Sequence, residues 1–129
     1  MQLFTYNDFT SEKGHLAFEE CQTIHNEILA SSDKNNSEFL DYWKEFLSSC
    51  VSYAEARGKW FLLSKEERMD FDSKRTTIHN KVIFNLKIIK ALANEKGKDT
   101  TWFDKFQDER KRIGDFACYL AYVYGVNAR

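Results

Sequence analysis

An all-α fold, an antiparallel up-down four-helix bundle with a short N-terminal arm, is what three features of this chain predict together. Apolar residues recur at helical spacing along most of its length, and nowhere do they alternate as in a half-buried strand. Proline is absent, so nothing removes a backbone donor from inside a helix. Short polar segments interrupt the periodic stretches at three places, each beside residues that cap helices well.

Taken in order, Leu3, Phe4, Tyr6 and Phe9 give the arm enough apolar surface to lie against the bundle. Thr10 or Ser11 can cap a first helix near residues 11 to 30, with Ala17, Cys21, Ile24 and Ile28 on its inner face. The polar turn Ser31 to Asn36 follows, and Asn35 with Glu38 can open a second helix near 37 to 57. Its stripe is Phe39, Trp43, Phe46, Cys50 and Ala54; a break is expected at Gly58, with Trp60 to Leu63 as an apolar link. Ser64 and Glu67 form an S-x-x-E capping box, in which hydroxyl and carboxylate each satisfy a free N–H at the start of a third helix near 65 to 96. At about 100° per residue, Phe71, Ile78, Val82, Leu86, Ile89 and Ala93 fall in one sector of that helix, and Gly97 stands where a C′ glycine ends it. Thr101 with Asp104 reads as another capping box, opening a fourth helix near 101 to 125 that turns Trp102, Phe106, Ile113, Ala117, Leu120 and Tyr124 inward.

The 129 residues, 43% hydrophobic, suffice for one domain with a real core, spanning residues 1 to 129. A formal net charge of −1 gives no overall attraction to DNA or to an anionic membrane, so contact with RNA would have to be local. The run DERKR at 108 to 112 mixes signs and reads as a solvated face. No stretch of apolar residues is long enough to span a bilayer, and Met1 to Thr10 lacks the basic and apolar regions of a signal peptide; the expected location is the cytoplasm. Three cysteines without C-x-x-C spacing read as reduced, buried packing residues.

The unusual chemistry lies on the third helix. Arg75 falls in the middle of its apolar stripe, with Asp72 and His79 on the shoulder. A guanidinium taken out of water needs a partner, and Asp72, one turn away, or Glu20 from the first helix can supply the carboxylate. Folding the chain at its turns places Tyr53 and Tyr122 near Arg75, and Cys50, Cys118 and Glu20 near His79. Asp72, Arg75 and His79 are therefore the candidate catalytic residues; Glu20, Tyr53 and Tyr122 are the candidate binding residues. The same folding keeps Glu109 far from Arg75, with Asn85 as its expected partner.

No cofactor or metal is expected. Cys21, Cys50 and His79 come to one level, but zinc would lack a fourth ligand, and Gln22 and Thr76 stand where a di-iron bundle needs glutamate before His25 and His79. Thr-Ile-His-Asn recurs at residues 23 to 26 and 77 to 80, an echo that puts both histidines at equivalent shoulder positions and would fit an ancient duplication. Tyr42, Tyr119 and Tyr122 fall off the stripes and mark a surface for a protein partner or for self-association into a homodimer.

The Arg75 to His79 segment resembles the Arg-to-His motif of HEPN domains, small helical-bundle ribonucleases of bacterial toxin and defence systems. That resemblance implies an all-α bundle, an interior motif helix and RNA as substrate. The spacing departs from the family: three residues separate Arg75 and His79 where those proteins usually have four to six, and only Lys74 has the four-residue spacing. RTTIHNKVI and DERKRIGDFACYLAYVYG also look like small bacterial helical families of unknown activity. Two readings of function follow: a cytoplasmic interaction or regulatory module, immunity or antitoxin-like, with Arg75 and His79 structural; and a HEPN-like ribonuclease or phosphate-handling enzyme that uses them.

Overall fold

In the computed structural model, which describes residues 16–31 and 37–125, the protein is all-α and up-down, with no strand among the described residues. Three single helices, α1 (Phe18–Ser31), α2 (Ser37–Leu62) and α3 (Lys65–Glu95), are followed by a bent pair: a 3₁₀ segment (Thr101–Phe106) and α4 (Arg110–Leu120). A wide turn of π geometry, Ala121–Gly125, continues α4. The N-terminal arm, the caps Thr10 and Ser11, and Asn35 lie outside the described residues.

Helix starts and stops mostly follow local chemistry. Ser64 and Glu67 form the reciprocal capping box, Glu67 N–H donating to Ser64 Oγ at 3.2 Å and Ser64 N–H to Glu67 Oε1 at 2.9 Å. At the other end of α3, Gly97 adopts φ +69°; its N–H donates to the Asn94 carbonyl and Lys98 N–H to the Ala93 carbonyl. These two bonds satisfy carbonyls the helix leaves open. Among the described residues the first helix begins at Phe18, with Leu16 and Ala17 outside it, the Leu16 N–H donating to Asp115 Oδ2 and the Ala17 N–H to Glu20 Oε1; residues 11 to 15 of the expected helix lie outside the described residues.

Two expectations fail for physical reasons. Gly58 does not break α2, which runs on to Leu62: a glycine inside a helix costs only about 1 kcal/mol, and Gly58 is buried beside the paired Arg57. The fourth helix is not one helix over 101 to 125. Asp99 Oδ1 accepts the Thr101 N–H, so the Thr101–Asp104 capping box does not form, and the turn tightens into the 3₁₀ segment. Gln107 and Asp108, at φ 54° and 55°, then redirect the chain into α4.

The pairings fix how this last unit lies. The 3₁₀ segment runs back along α3, with Thr100 bonded to Asn94, Lys90 over the Phe103 ring, and Arg110 bonded to Asn80. From there α4 runs antiparallel to α2, Asp115 meeting Arg57 and Tyr124 meeting Trp43. Every residue from Ile113 to Ala121 is buried, so α4 is the innermost element. Around it pack Leu16, Ile24 and Ile28 of the first unit, Phe46, Cys50 and Ala54 of α2, Val82, Leu86 and Ile89 of α3, and Trp102 with Phe106. The first half of α3 is different: from Lys65 to Lys81 no residue is fully buried; its first turns lie on the end of α2, and only at His79 and Asn80 does it reach the start of α4.

Gly97→Ala should cost about 1–2 kcal/mol, the penalty for a side chain in the left-handed region, although a Cβ there meets no atom within 4 Å. Urea unfolding with an unchanged m-value measures it; an unaltered midpoint would remove the backbone-conformation explanation of the stop.

Candidate functional site

Where α2, α3 and α4 meet, polar groups gather in two layers. The inner layer is an ion pair that the sequence reading did not foresee: Arg57 Nη1 donates to Asp115 Oδ1 at 2.9 Å, with side chains 10% and 0% exposed. Asp115 Oδ2 accepts the Leu16 N–H at 3.1 Å, and Arg57 Nη1 also lies 3.6 Å from Cys118 Sγ. Burial alone would weaken the Arg57 charge, but Cys118, Tyr53 and Asp115 around it hold its proton more firmly than in water. Burial, with Asp115 beside it, pushes the Cys118 thiol up to about 11, so the thiol is neutral at pH 7.

The outer layer holds His79, Arg75 and the start of α4. The His79 ring packs on Tyr53, centroids 4.6 Å apart, and its Nε2 lies 2.9 Å from the Arg110 carbonyl. A carbonyl can only accept, so Nε2 carries the proton and donates it. Arg110 Nη2 donates to Asn80 Oδ1 at 2.7 Å. The neighbours His79 and Asn80 thus hold the first residue of α4 by both its backbone and its side chain. Burial first, then the positive charges of Arg110, Arg75 and Arg57, bring the His79 pKa down to about 4, so the ring is neutral at physiological pH.

Tyr53 is the hinge between layers. It is buried, and burial raises its hydroxyl pKa. Gly114 makes room for it: a Cβ there would stand 2.8 Å from Tyr53 Oη and 3.2 Å from its ring, too close without moving a packed side chain.

Each sequence-derived candidate now has a place. Arg75 is half-buried, with its guanidinium 4.6 Å from the Trp60 ring centroid and its Nε buried without a hydrogen-bond partner. It bonds to neither expected carboxylate: Asp72 is exposed, and Glu20 serves Ala17 N–H and Arg112, the latter at 3.7 Å. The wheel overstated Arg75's burial because at its level α3 meets Trp60 near the end of α2, short of the contact with α4 at His79 and Asn80. Tyr53 and His79 do come together, one turn from the estimated level, whereas Tyr122 lies on the π turn, 38% exposed. Tyr119, expected on a partner surface, is 3% exposed and packs on Phe116 and His25. Asn85 donates to Ser49 Oγ at 3.3 Å in place of a bond to Glu109, which precedes α4 and is exposed.

The echo at His25 has a structural counterpart. His25 Nε2 is 2.7 Å from Tyr124 Oη and its ring stacks on Trp43, so each histidine leans on an α2 aromatic and bonds to the C-terminal unit. All three cysteines are free and buried, and no cluster of three or more metal-ligating side chains occurs among the described residues. Comparison with protein-family models, characterised proteins and solved structures finds no match.

Breaking the inner pair should be costly. Asp115→Asn leaves a buried guanidinium without its counter-charge and should lose about 3–5 kcal/mol, while Arg57→Met with Asp115→Leu together should recover most of that loss. Chemical denaturation of the single and double variants decides it; a single variant within experimental error of the parent would show that the pair carries no stability.

His79 also sets a pH dependence. Its folded pKa, about 4, lies below the ordinary 6.5, so between those values the unfolded chain binds a proton that the folded chain does not. Stability should be full above about pH 6.5 and should fall as the pH drops toward 4, with buried His25 adding in the same direction. Urea midpoints from pH 7.5 to 4.5 should decline less steeply in His79→Gln; identical slopes would remove His79 as a contributor.

Proposed function

We propose that this protein is a non-catalytic interaction module, of the regulatory, immunity or antitoxin-like kind, acting in the cytoplasm. The observation that carries this reading is the end of the α2–α3 hairpin. There Phe61, Leu62 and Met69 stand 56%, 78% and 72% exposed, beside the half-buried Trp60 and Leu63. Exposed apolar side chains grouped at one place usually mark a surface that another protein covers. Across the hairpin cations lie over rings, Lys59 over Phe71 and Arg68 over Trp60, and Arg68 Nε also donates to the Trp60 carbonyl at 2.9 Å. An end that is apolar outside and rigid inside loses little freedom on binding.

The catalytic alternative, with Asp72, Arg75 and His79 as its residues, asks more of this geometry. An acid or base works best with a pKa near the operating pH, and the environment of His79 pulls it down to about 4 while its proton is spent on the Arg110 carbonyl. Asp72 forms no ion pair with Arg75 to complete the set. No helix among the described residues is long and apolar enough to cross a membrane.

A photo-crosslinking residue at position 62 should give one dominant protein adduct in cells, a distinct partner or a second copy, and Met69→Glu should abolish it without changing the urea midpoint by more than about 0.5 kcal/mol, as for a surface change. His79→Gln should leave the adduct intact. Crosslinking that is diffuse, or indifferent to Met69→Glu, would overturn the hairpin end as the binding surface; RNA cleavage by the parent that His79→Gln abolishes would overturn the non-catalytic reading.

A further inference from the structure

The hold of α3 on the start of α4 passes through one titratable ring. His79 Nε2–H donates to the Arg110 carbonyl at 2.9 Å, and Arg110 Nη2 donates to Asn80 Oδ1 at 2.7 Å. The ring rests on Tyr53, which is the titratable hydroxyl facing it. The charged groups that act on it are Arg57 of α2, itself bonded to Asp115, Arg75 of α3 and Arg110 of α4.

A second proton on His79 goes to Nδ1, because Nε2 already carries one. The bond to the carbonyl survives that step. What changes is charge: a half-buried cation now stands among three guanidiniums. Relief depends on which of the three can leave. Arg57 is sealed in its pair with Asp115, and Arg75 lies on Trp60 from within the long helix α3. Arg110 is exposed, stands at a helix end, and its charge acts on the ring more strongly than the other two.

The backbone on either side of Arg110 differs in firmness. Just before it, the exposed Gln107 and Asp108 hold φ 54° and 55°, left-handed conformations that side chains disfavour, so opening this corner relieves them. Beyond it, Arg112 Nε donates to the Lys105 carbonyl at 3.0 Å, and every residue from Ile113 to Ala121 is buried.

We propose that the corner at residues 107–111 is an acid-opened hinge: when His79 takes up its second proton, the first turn of α4 lifts from α3 while the helix beyond Arg112 stays docked. The lifted turn uncovers Tyr53 and the imidazolium. This device stands apart from the hairpin end and from any partner bound there.

Amide hydrogen exchange reads it. The Arg112 and Ile113 N–H groups both donate to the Glu109 carbonyl, at 3.1 and 3.3 Å, so they exchange when that turn lifts. Between pH 7 and pH 5, after correction for the intrinsic rate, their opening should increase about tenfold or more, because the ring passes from a pKa of about 4 when closed toward 6.5 when open. Low urea should leave this exchange unchanged, as for an opening that exposes little surface, whereas exchange at the buried Leu86 and Ile89 should be slower and should rise with urea. His79→Gln, which keeps an N–H donor for the Arg110 carbonyl but does not titrate, should abolish the acid response. In Arg110→Gln the His79 ring protons, followed by NMR, should titrate higher than in the parent. The hinge is disproved if Arg112 and Ile113 share the protection and urea dependence of Leu86 and Ile89 at pH 5, since acid then loosens the whole molecule. It is equally disproved if the response survives His79→Gln or if Arg110→Gln leaves the ring titration where it was.

Discussion

Asp115 is the constraint on which the rest of the structure depends. It is the only charged residue in the last helix after Arg112 and before the C-terminal Arg129, and it is wholly buried. Its two oxygens reach a side chain of α2 and the backbone just before α1, so one carboxylate ties three parts of the chain together. A helix enclosed on every side by apolar contacts could slide or rotate at small cost, because hydrophobic burial has no direction. We attribute the fixed depth and rotation of α4 to this pair, since only one placement gives both oxygens their donors. Compared with an apolar replacement of similar volume, such a pair adds little stability.

With α4 held inside, the consequences for the other helices follow. The alternation of large and small residues along it, Phe116, Ala117, Tyr119, Leu120 and Ala121, leaves room for rings from its neighbours, and Gly114 admits Tyr53 where any side chain would collide. Because α4 is short, it cannot cover the whole of α3. The half of α3 before Val82 therefore rests mainly on α2, meeting α4 only where His79 and Asn80 bond to Arg110, and its polar residues meet half-wet surroundings. A single difference of length between two helices thus separates a sealed ion pair from the half-buried Arg75 and the exposed Arg110.

The sequence reading recovered what depends on nearest neighbours. The box at Ser64 and Glu67, the glycine stop at Gly97 and the stripe Val82, Leu86, Ile89 and Ala93 are all set within a few residues along the chain, and they stand as expected. It failed where distant partners decide. Helical period alone put Arg75 in the core, yet whether a stripe position is covered depends on the reach of the opposite helix. Arg57 continues the spacing of Trp43, Phe46 and Cys50, and Asp115 is a lone charge in an apolar run, so both were visible as anomalies. Nothing local said that the two were each other's partner. The bend at Gln107 and Asp108 was hidden because neither residue is glycine, and both take positive φ under the demands of packing.

The balance at Arg75 shows why its position asks for an explanation beyond folding. A guanidinium over a tryptophan ring is favourable by about 0.5–2 kcal/mol. A buried donor left without an acceptor costs about 1–3 kcal/mol, so as far as the described residues go the placement gains little. Lys59 over Phe71 makes a similar contact at no such cost, since Lys59 is exposed and its ammonium stays hydrated. A long apolar side chain at position 75 would cover Trp60 as well and leave no orphan. The arginine is therefore the costlier choice for this surface as far as the described residues go, since none of them accepts from its Nε.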